Sequence, residues 1–333
     1  GANITTSTSP NSASGRVYRI NTNGAITTPT TPTWDISTLF DPVAGTAAAT
    51  VDSDPTNGKD MGPLLVSPSV AKDSKGNLWV FFGTGRLRNS AYDLSNSNQQ
   101  EFYGIKDGCW KGLTDTACSV TATNTNTRTG DKVYQLADLF DASAVTISTT
   151  TGGATQVSEG SGTVGCEGTT GYTGTQCSYS SLIDTVQAKQ GWHTKLAKPA
   201  TGASEKALSR SVVLGGLILF TAYTPAADIC SIFGDSTLYA LYYETGTAYI
   251  KPVIGYSGTT VLKSTSLGKG MPTAVGIAIG EKTVGFVQKS TGEIVRIESQ
   301  PGLSVKSGAA GWREKTGGGG TIELEEIYKH IVK

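Results

Sequence analysis

Apolar residues along this chain come in short bursts, such as Leu78 to Phe82 and Val212 to Phe220, separated by polar and glycine-rich stretches. This pattern predicts many short strands joined by long loops. The segment from Arg210 to Tyr223 is nearly continuous in apolar residues, with Gly215-Gly216 at its centre. It reads as a hairpin covered on both faces. Four stretches share a small or polar opening followed by alternating apolar residues: Gly15 to Ile20, Gly76 to Phe81, Ser236 to Leu241 and Gly292 to Ile297. Thr245-Gly246 follows the third and Thr291-Gly292 leads into the fourth, so tight turns sit at strand ends, where glycine supplies a positive φ. The first two stretches and the last two lie about 60 residues apart, the length of a small multi-strand unit. One small sheet cannot bury both of its faces, whereas stacking around a shared axis can. The predicted class is therefore all-β, a β-propeller, with a two-sheet sandwich as the alternative.

Two polar insertions interrupt these strands, Cys109 to Gly130 and Ala142 to Ser181, both dense in Thr, Ser and Gly and without helical periodicity. They are expected to remain on the surface as loops. Cys109 and Cys118 bracket part of the first, and Cys166 and Cys177 bracket part of the second. Two local disulfides, Cys109–Cys118 and Cys166–Cys177, are the economical pairing. Each would restrict the unfolded chain by about 2.5–3 kcal/mol. They imply an oxidising compartment, and Cys230 is left over. Residues 1–315 are taken as the propeller and 316–333 as a separate tail. In the tail, Gly317 to Gly320 precede Leu324, Ile327 and Ile331 at helical spacing; it is a docking element that pairs as a short helix or strand, or a fusion scar.

Charge narrows the partners. Lys plus Arg and Asp plus Glu are 27 each, so the chain lacks the basic excess of a protein that binds nucleic-acid phosphates or an anionic membrane. Its apolar runs are too short to cross a bilayer as a helix, and the longest, near Val212 to Ala222, is broken by glycines. The chain opens Gly1-Ala2-Asn3-Ile4-Thr5 with no leader pattern, and Gly15 to Ile20 already reads as a strand in mid-pattern, so a leader is expected to have been removed.

Candidate chemistry is sparse. Hydrolytic mechanisms need a base near a nucleophile, and the chain has 2 histidines, His193 and His330. His193, in Gly191-Trp192-His193-Thr194, is expected to be an exposed polar position at a strand start. Asp52, Asp54, Thr56 and Asp60 fall at positions one, three, five and nine of a loop, a spacing that suits hard oxygen ligands, so they are the calcium candidates. The loop lacks a bidentate glutamate at position twelve, and Pro55 stiffens it, which favours a solvated loop instead. Tyr92, Phe102, Tyr103, Tyr242, Tyr243 and Tyr256 could line a sugar- or partner-binding surface; core packing is the default for such residues.

One combination of residues is more specific. Gly76-Asn-Leu-Trp-Val-Phe-Phe-Gly-Thr-Gly-Arg86, then Asp93-Leu94-Ser95 and Gln99-Gln100-Glu-Phe-Tyr-Gly-Ile-Lys-Asp107, resemble the Gly-Thr-Gly-Arg/Lys and Gln-Gln-x-Phe-Tyr segment of the PilC/PilY type IV pilus-associated proteins. Ser209 to Gly216, Phe220-Thr221, Cys230-Ser231 and Leu238 to Leu241 resemble later blades, and Gly311-Trp312-Arg313-Glu314 resembles the closing segment. The resemblance spans roughly residues 15 to 315. It implies a propeller with quinoprotein-like blades in an extracellular, non-enzymatic protein at the pilus tip. Its implied partners are minor pilins, with roles in pilus assembly and adhesion. The calcium loop of many members precedes a strand comparable to Gly15 to Ile20; here residues 1–14 hold no acidic residue, and Asp52 to Asp60 lie elsewhere. Two other functions fit parts of the pattern. One is a quinone-cofactor dehydrogenase, suggested by Leu238 to Leu241 with the following Thr-Gly. The other is an extracellular filament subunit joined through its tail.

Overall fold

The computed structural model describes residues 2–4, 14–21, 35–42, 62–87, 99–110, 134–149, 155–159, 176–199, 202–226, 233–278 and 284–298. These residues form an all-β structure of five small sheets with one α-helix and a 3-10 turn. The first sheet runs β1 (Ala2–Ile4), β2 (Ser14–Asn21), β3 (Asp35–Phe40). The second runs β4 (Ser69–Lys72), β5 (Leu78–Gly83), β6 (Glu101–Asp107), then β11 (Gly191–Lys195) and β7 (Phe140–Asp141). The third runs β12 (Val212–Leu214), β13 (Leu217–Thr224), β14 (Asp235–Tyr242), β17 (Ser264–Lys269), and the fourth β18 (Gly276–Ala278), β19 (Val284–Gln288), β20 (Ile294–Glu298). A fifth sheet combines distant segments in the order β10 (Gln176–Cys177), β9 (Thr155–Glu159), β8 (Val145–Thr149), β16 (Thr260–Val261), β15 (Tyr256–Ser257). Among these strands the pairings are antiparallel except β11 with β7.

Strand alternation sends each inner sheet's side chains to two different cores. In the second sheet, Val80, Phe82, Tyr103 and Ile105 pack with Val17, Leu39 and Phe40 of the first. The opposite face, with Trp79, Phe81, Phe102 and Trp192, packs with Ile218, Phe220, Tyr239 and Leu241 of the third. The third sheet's other face, with Leu217, Leu219, Leu238 and Ala240, meets Val287 of the fourth, with Val295 and Ile297 at its margin. The four sheets therefore stack face to face in chain order. Each fully buried large apolar side chain contributes about 1.5–3 kcal/mol. The junction between second and third sheets is the most aromatic: Phe102 stacks on Phe220 at 3.9 Å, and Phe220 on Tyr239 at 4.8 Å.

Polar contacts fix the register of this stack. Arg19 of β2 donates from Nε to both Asp107 carboxylate oxygens at 3.0 Å, tying the first sheet to the second. Ser69 of β4 donates to the Ser211 carbonyl at 2.5 Å, bringing the first strands of the second and third sheets side by side. The turn before β5 is organised by Asp73. Its carboxylate accepts the backbone N–H of Lys75 at 2.9 Å and of Asn77 at 2.8 Å, and the Trp79 indole N–H at 2.9 Å. Gly76, at φ 85°, supplies the left-handed residue that this turn requires. Burial alone would raise the Asp73 carboxyl, but its hydrogen bonds from Trp79, Asn77 and Gln187 outweigh this and hold it below the usual carboxylate range.

Two expectations from sequence are corrected. The insertion from Ala142 to Ser181 is not only surface loop: Ala142, Val145, Ile147 and Val157 are core residues, and β8 and β9 build the fifth sheet. Its end opens helix α1 (Tyr179–Ala188), which Ser178 caps by accepting the Ser181 amide at 3.2 Å. Tyr179, Leu182 and Val186 recur at helical spacing and are the buried face of α1. The four aligned strand motifs also hold unequal places, because β5 is second in its sheet while β14 and β20 are third. The repeat is one of strand type, not of position within a sheet.

Candidate functional site: a buried acid–base cluster on the second sheet

Strand β11 places Trp192 and Thr194 toward the third sheet and His193 toward the first. His193 lies opposite Tyr103 of β6 and beside Asp141 of β7, and Lys195 lies opposite Glu101. One face of the sheet thus gathers Glu101, Tyr103, Asp141, His193 and Lys195. His193 is 5% exposed, which corrects the expected exposed position, and Glu101 is 4% exposed. His193 Nδ1 and Glu101 Oε2 are 2.9 Å apart.

The electrostatics follow from burial and neighbours. Tyr103 is raised well above the usual phenol range by burial, and further by the charge of Glu101, its hydrogen bond to Glu101, and Asp141. Burial works against the Asp141 carboxylate, yet His193, the Ser143 hydroxyl and amide, and Lys195 outweigh it and lower its pKa. Lys195 Nζ is 3.4 Å from Asp141, both about half exposed. Lys263 donates to the Ser143 carbonyl at 2.8 Å; burial lowers its pKa against the opposing pull of Asp141. Glu101 is therefore engaged by both His193 and Tyr103 and is shielded from solvent. In this setting the pair fixes β6 to β11.

A second convergence lies beside it, at the C-terminal end of β5. Gly83 packs so tightly that an added Cβ would lie 2.4 Å from Ala207 Cβ, and Gly85, at φ 150°, abuts Lys206. Thr84 N–H donates to the Glu101 carbonyl at 2.9 Å, and the Thr84 carbonyl accepts Ala207 N–H at 3.0 Å. Gln99 Nε2 donates to the Leu196 carbonyl at 2.8 Å, and Leu196 N–H donates to the Gln100 carbonyl at 2.9 Å. Glu205, 1% exposed, accepts the Ala197 amide at 2.9 Å and the Tyr239 hydroxyl at 2.5 Å. Gly83-Thr84-Gly85, Gln99-Gln100-Glu101-Phe102-Tyr103 and Glu205 to Ala207 thus meet in one junction that carries the second sheet into the third.

The remaining sequence candidates separate. Asp52, Asp54, Thr56 and Asp60 lie outside the described residues, as do Tyr92, Cys118, Cys166, Cys230 and the tail from 316 to 333. No metal-ligating group of three or more is found among the described residues. Cys109 is buried and disulfide-bonded; the Cys109–Cys118 and Cys166–Cys177 pairings fall on undescribed positions. Of the aromatics, Phe102 and Tyr103 are core residues. Tyr242 and Tyr243 are half-buried, and burial followed by Glu244 pushes Tyr242 up to about 12. Tyr256 is exposed. The sequence reading missed Glu101, Asp141 and Glu205; for Glu101 and Asp141, charged residues beside aromatic ones in strands were the available signal, while Glu205 lies outside the strands and left none.

The fold and these junctions define an all-β protein of stacked small antiparallel sheets, and no described helix is long and apolar enough to cross a membrane. No family model and no curated protein matches the chain. Among solved structures it is similar to the C-terminal domain of PilY1 from Pseudomonas aeruginosa, at 16% identity and a TM-score of 0.47, over 80% of this chain and 49% of that one. The chain spans about half the length of that structure.

Proposed function

We propose that this chain is a propeller region of a type IV pilus-associated surface protein, acting by binding and not by catalysis. The observation that carries the reading is the meeting of Gly83-Thr84-Gly85 with Gln99 to Tyr103. These are among the residues on which the PilC/PilY resemblance rests, and they meet at one junction. The stacking of four sheets in chain order, each inner sheet buried on both faces, supports wedges arranged around an axis. The enclosed Glu101–His193 pair supports a structural use of the acid–base residues near this junction. A disulfide at Cys109 supports an oxidising, extracellular setting, in which Cys109–Cys118 and Cys166–Cys177 are the proposed pairs. Minor pilins at the pilus tip are the proposed partners, with pilus assembly and surface adhesion the proposed outcome.

Affinity capture of the native protein from pilus preparations tests this reading. Co-purification of minor pilins is expected, together with loss of surface pili when the protein is deleted. Normal piliation in the deletion strain overturns it.

A further inference from the structure

Where β14 ends, Tyr242 stands edge-on to Tyr243, with ring centroids 5.2 Å apart and planes at 84°, and stacks on Tyr249 at 5.0 Å. Tyr179 of α1 packs 5.9 Å from Tyr242. The corner is held by the backbone. Tyr243 N–H donates to the Gly216 carbonyl at 3.0 Å, and the Tyr243 carbonyl accepts the Trp192 indole N–H at 2.8 Å. Tyr179 is buried, but Tyr242, Tyr243 and Tyr249 are intermediate in exposure, so the corner reaches solvent. Two enclosed carboxylates stand behind it. Glu244, 6% exposed, accepts Gln187 Nε2 at 3.2 Å and the Tyr243 hydroxyl. Asp73, 7% exposed, also takes a hydrogen bond from Gln187. Asp107 and Glu101 have Arg19 and His193 as partners, whereas neither Glu244 nor Asp73 meets a cation among the described residues. Lys106 donates instead to the Gln187 carbonyl at 2.7 Å. The negative charge is felt by the phenols: burial first, and then Glu244, hold Tyr242 and Tyr243 above the ordinary range, with Asp73 adding to both. Enclosed charges are ordinarily paired, and aromatic faces attract cations.

We propose that this corner is a binding site for an organic cation, a guanidinium or ammonium group seated against Tyr242 and Tyr243 with Glu244 as its counter-charge. A bare metal ion does not suit it, because hard cations want several oxygen ligands and no group of three or more metal-ligating side chains occurs among the described residues. A guanidinium or alkylated ammonium needs only one carboxylate and the ring faces. Gln187, tied to both carboxylates, holds them on the protein side of the cation. The assignment rests on these residues alone and is independent of the pilus reading.

Titration of the full chain with N-acetylarginine methylamide, followed by the carbon NMR signals of labelled tyrosine rings, tests the assignment. Saturable shifts at Tyr242 and Tyr243 are expected, with the neutral citrulline analogue ~10-fold weaker or more. Glu244→Gln should weaken binding of the arginine compound ~10-fold or more, and Tyr242→Leu about 5-fold, whereas Tyr242→Phe keeps the ring and the affinity. Without ligand, Glu244→Gln is expected to unfold at the same temperature as the intact protein or higher, because it removes a charge that lacks a cation. A glycine pentapeptide with one central arginine that binds more tightly than methylguanidinium assigns the cation to a partner protein. Equal binding of the two assigns it to a free small molecule, and the site stands in either case. Equal affinity for the citrulline analogue, or unchanged affinity in Glu244→Gln, overturns the proposal. A lower ligand-free midpoint in Glu244→Gln also overturns it, by making Glu244 a structural acceptor.

Discussion

Removing one member of the Glu101–His193 pair is the sharpest perturbation the structure offers. Both side chains are enclosed, and their 2.9 Å contact spans β6 and β11. His193→Gln deprives Glu101 of its ring partner and leaves the carboxylate with the Tyr103 hydroxyl. Loss of one partner from a buried pair costs about 3–5 kcal/mol, and the surviving Tyr103 contact places the expected loss at the lower end, about 3 kcal/mol. For a chain of 333 residues that corresponds to a fall of roughly 4 °C in the unfolding midpoint. Glu101→Gln should cost a similar amount. The double variant should cost less than the two singles together by about 2 kcal/mol, because the contact between the two side chains is lost only once. Urea unfolding of the four proteins, followed by tryptophan fluorescence, gives all the terms. The change at Trp192 provides the signal, since it neighbours His193 on the same strand. Strictly additive single losses, or losses below about 1 kcal/mol, would refute the claim that these residues form a coupled buried pair.

Other expectations are simpler to state. Gly104→Ala puts a Cβ about 2.5 Å from the Trp192 ring and is expected to cost several kcal/mol, of order 2–4, by forcing the two central strands apart; soluble yield and midpoint report it, with Gly258→Ala as a control that meets nothing within 4 Å but adopts φ 61°. Trp79→Phe removes the indole N–H that Asp73 accepts and should lose about 1–2 kcal/mol, whereas Asp73→Ala strands several donors at once and should lose more; equal losses in chemical denaturation would count against the turn described. The Asp141 carboxyl is depressed in the folded state, so its contribution is present above the unfolded value of about 3.9 and disappears as pH falls through the folded one. Asp141→Asn should therefore flatten the decline in stability between about pH 5 and 3, and an unchanged profile would remove Asp141 from the cluster.

Much of the architecture could be read from the chain because strand burial leaves a local mark. Val212 to Phe220 announced a hairpin with Gly215-Gly216 at its turn, although only its second strand is fully buried and β12 is half-buried. Gly76-Asn-Leu-Trp signalled the β4–β5 turn, although the role of Asp73 in bonding Trp79 needed three dimensions. What was not legible depends on tertiary context. Ala142 to Val157 is polar by composition, yet the few apolar residues there point inward because β16 arrives from far along the chain. His193 looked solvated because the Glu101 and Tyr103 that enclose it lie on a strand about 90 residues earlier. Burial of a polar side chain is decided by partners that sequence neighbours do not supply.

The fifth sheet has a consequence for the order of events in synthesis. Ser148 of β8 pairs with Thr260 of β16, so this ladder cannot close until more than 110 further residues have left the ribosome. Non-local pairing of this kind slows folding, since chain entropy is lost before the contacts form. In the interval β8 and β9 present an unsatisfied edge to other nascent chains, which makes this segment the natural target for a holding chaperone.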